Sequence, residues 1–72
     1  MNQITFNNTR YHLNGKMQQW CENQLGPVAY SVDNIRDDGD RKNLWTYKSI
    51  FGNTTYFFKN EKDYTMFLLR WS

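Results

Sequence analysis

From Leu44 onward the hydrophobic and polar positions alternate with a period of two, and after Asn60 the period lengthens to that of a helix. Two runs, Leu44 to Phe51 and Thr54 to Lys59, flank Gly52-Asn53, residues that tolerate the positive φ of a two-residue hairpin turn. That turn would pair Phe51 with Thr54, Ser49 with Tyr56, Tyr47 with Phe58 and Trp45 with Asn60. Trp45, Tyr47, Phe51, Tyr56 and Phe58 then share one face, and Leu44, Thr46, Lys48, Ile50, Thr55, Phe57 and Lys59 share the other. Asn60 followed by Glu61 and Asp63 has the form of a helix start, with an Asn cap and carboxylates at the positive end of the helix dipole. Tyr64, Phe67, Leu68 and Trp71 continue at helical spacing and predict a helix over about Glu61-Arg70. Met66 and Leu69 lie off that stripe, which leaves a second reading in which Phe67, Leu69 and Trp71 alternate as a strand.

The first half of the chain is less regular. Ile4 and Phe6 suggest an N-terminal strand, and Asn7-Asn8 a turn into a second short strand over Thr9 to Leu13. The competing reading is a helix from Asn8 through Leu13, interrupted at Gly15. Met17, Trp20, Cys21 and Gln24 or Leu25 predict a helix over about Lys16-Leu25, with Asn14 as its cap and Gly26-Pro27 as its stop. Met17, Trp20 and Cys21 would pack on a sheet, leaving Lys16, Gln18, Gln19, Glu22 and Asn23 in solvent. Val28-Val32 alternates as a strand, with Val28, Tyr30 and Val32 on one side and Ala29 and Ser31 on the other. Asp33 to Asn43 keeps no apolar period and reads as a loop.

These elements make one α+β domain over residues 1–72. A small antiparallel sheet (the N-terminal strand, Val28-Val32 and the Leu44-Lys59 hairpin) packs against the two short helices. A chain of 72 residues buries only about 60% of its unfolded surface, so each large side chain counts. Aromatics make up 18% of the residues, enough to supply a core although mean hydropathy is only −0.90.

The lone Cys21 cannot form an internal disulfide, which suits a reducing compartment. The N-terminus lacks the basic and apolar regions of a secretory signal, and no run approaches a membrane span, so the expected location is the cytoplasm, with no membrane partner. A formal net charge of +2, spread over scattered Lys and Arg, does not by itself select nucleic acid.

No catalytic set is visible. His12 stands alone without a Ser, Cys or carboxylate at a telling spacing. Cys21 beside Trp20 reads as a small core residue. One Cys and one His cannot make a structural zinc site in one subunit. Asp33, Asp37, Asp38 and Asp40 lack the ligand order of a calcium loop and are interleaved with Arg36, Arg41 and Lys42. The glycines are isolated, so no phosphate-binding loop exists and no cofactor is implied. The expectation is a non-enzymatic protein. Its candidate interaction surface is the aromatic hairpin face with nearby cations: Trp45, Tyr47, Tyr56, Phe58, Lys48, Lys59 and Arg70. Such a face can stack unpaired bases, but a domain this small also needs it for a core.

The run from Phe51-Gly52-Asn53-Thr54-Thr55-Tyr56-Phe57-Phe58-Lys59-Asn60 through Asp63 to Met66-Phe67-Leu68-Leu69-Arg70-Trp71, together with Met17 to Glu22, resembles segments of short proteins of large tailed bacteriophages. These families carry no agreed activity, so no residue role transfers. The resemblance implies a small viral accessory protein made in the host cytoplasm that binds a host or viral protein. Single-stranded nucleic-acid binding through the hairpin face is the alternative. With thirteen aromatics (Trp 3, Tyr 5, Phe 5), self-association is a further way to cover apolar surface.

Overall fold

A computed structural model of the chain describes residues 2–7, 11–36 and 44–71. The elements run β1 (Asn2–Phe6), α1 (Tyr11–Leu25), α2 (Val32–Arg36), β2 (Trp45–Ile50), β3 (Asn53–Phe58) and α3 (Glu61–Trp71). The α+β class and the antiparallel sheet are as the sequence indicates. The expected second strand over Thr9 to Leu13 is helical from Tyr11 onward; Asn8 to Arg10, the acidic stretch from Asp37 to Asn43, and the side chain of His12 lie outside the described residues.

The sheet has the order β1-β3-β2, both pairings antiparallel. Its central strand therefore comes last in sequence, and β1 closes across 50 residues to lay Ile4 opposite Tyr56 and Phe6 opposite Thr54. The hairpin register differs from the sequence expectation: Ile50 pairs with Asn53, Tyr47 with Tyr56 and Trp45 with Phe58. The turn residues are Phe51 and Gly52, at φ 51° and 82°, as a tight hairpin turn with two left-handed positions requires. This register frees Asn60 from the sheet to start α3, where its carbonyl accepts the first helical bond from Tyr64 at 3.2 Å. It also sets Trp45 beside Phe58 instead of beside a polar cap. Because the shift is by two residues, Trp45, Tyr47, Tyr56 and Phe58 keep a common face; Phe51 leaves it for the turn.

That face is covered by α1 and α3. Met17, Cys21, Trp45, Tyr56, Phe58 and Phe67 form the buried core, and Ile4, Phe6, Trp20, Leu25, Tyr64 and Trp71 pack around it. Phe67 is the hub: its ring meets Phe58 at 4.9 Å, Tyr56 at 5.0 Å, Trp20 at 5.9 Å and Phe6 at 6.0 Å. Aromatic pairs at such separations add about 0.5–1.5 kcal/mol each beyond area burial. On the inner face Thr54 donates to the Ser49 hydroxyl at 3.3 Å. On the outer face the Thr5 and Thr55 hydroxyls lie 2.7 Å apart.

Three segment assignments are corrected by the structure. The first helix begins at Tyr11, not Lys16, and runs straight through Gly15. A glycine inside a helix costs only about 1 kcal/mol, which the packing of Met17 and Cys21 outweighs. Asn14 therefore sits within the helix and not at its cap; its side-chain oxygen accepts a hydrogen bond from the Tyr56 hydroxyl. Gly26, at φ 94°, ends the helix, and its carbonyl accepts the Trp45 indole N–H at 2.8 Å.

Val28-Val32 is not a strand. Pro27 can donate no bond, and Ala29 ties the segment to the sheet: it donates to the Trp45 carbonyl at 2.9 Å and accepts from the Thr46 hydroxyl at 2.9 Å. The small side faces inward, with Ala29 buried while Val28 and Tyr30 are exposed. The chain then turns into α2, part of the expected loop, which packs on β2 and buries Ile35. At the C-terminus the helical reading holds through Trp71, with Phe67 buried and Leu69 in solvent.

Candidate interaction surface

The seven residues proposed from sequence do not converge. Trp45, Tyr56 and Phe58 have no exposed surface; they form the floor under α1 and α3 and present nothing to a partner. The reason is the one that made them conspicuous, since a chain this small has no other residues large enough to fill the space between sheet and helices. Tyr47 shares their face, but the helices do not reach over it fully and it remains 37% exposed. Its ring lies 6.2 Å from Trp45 and 6.0 Å from Tyr56. Lys48 points to the opposite, outer face by strand alternation. Lys59 follows the end of β3, and Arg70 stands in the last turn of α3.

The buried groups are set for structure. Burial pushes the Cys21 thiol up to about 12, so it stays protonated and poorly nucleophilic. Burial also raises the Tyr56 hydroxyl well above its ordinary value, with Cys21 adding to the effect. Among the described residues no group of three or more His, Cys, Asp or Glu is placed to hold a metal ion. No helix among them is long and apolar enough to cross a membrane.

One surface with exposed aromatic residues lies along β2. Tyr30 is 97% exposed and Val28 41%, and with Ala29, Thr46 and Tyr47 they line a groove of about 470 Å³. A second groove of about 280 Å³ continues along the strand between Tyr30, Val32, Tyr47 and Lys48. Ile50 and Phe51 extend the apolar surface to the hairpin tip, where Phe51 is 98% exposed. Beyond Trp45, where Ala29 bonds to it, β2 runs on as the edge of the sheet. Val28 and Tyr30 escaped the sequence reading because alternation placed them in a strand of the sheet, without marking either side as exposed. The signal that could have found them is Pro27 directly ahead, which argues against a paired strand.

The fold defines a small α+β domain on a three-stranded antiparallel sheet. Angiopoietin-related protein 1 of Homo sapiens and that of Bos taurus are each 34% identical to it over 68 residues. The similarity takes in 76% of this chain and 14% of theirs, so the chain corresponds to a small part of those proteins. No family model matches the chain, and no solved structure matches it.

Proposed function

We propose that this chain is a non-enzymatic binding module that docks a protein partner on the surface formed by Val28, Tyr30, Tyr47 and the distal half of β2. The observation that carries the reading is Tyr30, a large aromatic held almost wholly in solvent beside a half-exposed Tyr47 and two grooves. An exposed tyrosine beside a cleft is the type of anchor that dominates protein interfaces, since it supplies contact area at little entropic cost. The backbone under it is fixed, because both the N–H and the C=O of Ala29 are bonded to β2. The edge strand alongside adds main-chain donors and acceptors that an extended segment of a partner can pair with.

The resemblance to short proteins of tailed bacteriophages supports the setting: an accessory protein in the cytoplasm of an infected cell, engaging a host or viral protein. Base stacking on Tyr47, Tyr56 and Phe58 loses support because two of those three rings are interior. The test is affinity capture from host lysate with the intact chain and with Tyr30→Ala. A stoichiometric protein retained by the first and lost with the second is expected. Retention of nothing, or equal retention by both, would overturn the reading.

A further inference from the structure

A second surface lies across the molecule's helical side. Lys16, Gln19, Trp20 and Asn23 recur at i, i+3, i+4 and i+7 along α1, which places them on one stripe beside the core-facing Met17 and Cys21. Where α1 meets α3, that stripe and Arg70 and Trp71 line an open groove of about 490 Å³, within the range of about 300–1,000 Å³ typical of small-molecule sites.

Its lining is chemically one-sided. Lys16 and Arg70 supply two cations, Gln19 and Asn23 two amides, and Trp20 and Trp71 two indoles; none of these lining residues is acidic. The indoles are held in place. Trp20 packs edge-on against Phe67 at 5.9 Å and 62°, and the Arg70 guanidinium lies over the Trp71 ring, 4.3 Å from its centroid. The Trp71 indole nitrogen is itself buried and without a hydrogen-bond partner. Gly15 stands at the groove, and a side chain added there would meet nothing within 4 Å.

We infer that this groove binds a nucleotide unit, with the base against the indoles and the Arg70 plane, and the phosphate toward Lys16 and Arg70. Each part of the lining answers one part of that ligand. Aromatic rings and guanidinium planes stack bases, side-chain amides pair with base edges, and Lys and Arg neutralise phosphate. A neutral sugar would leave both cations unpaired, and a bare anion would leave the indoles unused. The site is distinct from the Tyr30 surface and does not depend on it.

Free nucleotide and the nucleotides of a single strand share this chemistry, and the two are separated by probe. Intrinsic tryptophan fluorescence and amide chemical shifts would be followed in titrations with adenosine monophosphate, adenosine, inorganic phosphate and a short oligoadenylate. Binding of the monophosphate is expected to be stronger than that of adenosine or phosphate alone, with shifts centred on residues 15–23 and 70–71. Arg70→Gln and Lys16→Gln should each weaken it by at least about fivefold, since removing a phosphate contact costs a sizeable part of a tenfold step. Tighter binding of the oligoadenylate, steeply weakened by salt, would identify a strand as the ligand; equal or weaker binding would identify the free nucleotide. No response to monophosphate or oligoadenylate up to about 10 mM, an affinity near the weak end of specific binding, would overturn the assignment. So would shifts unchanged in both variants, each of which is a surface substitution that leaves the core intact.

Discussion

Strand β2 carries aromatic residues at both ends, and they meet opposite fates. Trp45, at its start, is sealed under α1 and anchored through its indole to Gly26. Phe51, just past its end, projects almost fully into water from a left-handed turn position. Tyr47 lies between them and is partly covered. Side-chain alternation decides which face a residue occupies, but only the reach of the covering helices decides whether that face is interior. The difference separates a structural half of the aromatic complement from a half left for contact.

The largest test of that division is Phe67→Ala. Phe67 touches rings from β1, β3 and α1, and truncating a buried phenylalanine costs about 3–5 kcal/mol, much of what a domain of this size possesses. Loss of the cooperative thermal transition, or a steep fall in its midpoint by circular dichroism, is expected. Alkaline pH attacks the same region. Cys21 and Tyr56 are neutral in the fold, and both have pKa values raised above their ordinary 9.0 and 10.0. The unfolded chain therefore loses these protons first, and stability present below pH 9 should decline as pH rises toward 12. Urea midpoints measured from pH 7.5 upward should fall, with Cys21→Ala moving the onset up toward the tyrosine range.

Outside the core the expected effects are smaller, and two are gains. Gly15→Ala should stabilise by up to about 1 kcal/mol, because the site is mid-helix and open. Phe51→Asn should stabilise by roughly 0.5–1 kcal/mol, since asparagine tolerates the left-handed conformation that a bulky residue resists. Tyr30→Ala should change stability by no more than about 0.5 kcal/mol, as for other surface positions, while abolishing partner capture. A large loss of stability there would place Tyr30 on the structural side of the division.

Much of the division was legible in the sequence. Gly52, the alternation around it and the Asn60 cap defined the hairpin, the helix after it and the membership of each face apart from Phe51, which the turn takes. The register was not legible, because the local turn rules favour Gly52-Asn53, whereas the turn used, Phe51-Gly52, puts a bulky residue at positive φ. What selects between them is where Asn60 and Trp45 must go. Gly15 and Val28-Val32 misled for the same reason: local propensity marked a break and a strand. Burial of Met17 and Cys21, and the two bonds at Ala29, decided otherwise. The groove between α1 and α3 was hidden because its residues, taken singly, read as a solvated helix face beside a core tryptophan. Only the approach of α3 brings Arg70 and Trp71 to them.

The claim beneath all of this is that the aromatic face of the hairpin is the interior. Cys21, the only thiol in the chain and fully buried in that core, reports on it without interference. Its reaction with a water-soluble disulfide reagent at pH 8 should be at least about a hundredfold slower in the native protein than in urea, since access requires opening of the core. Native reaction at the rate of the unfolded chain would mean that α1 does not cover the sheet and that Trp45, Tyr56 and Phe58 are open to solvent.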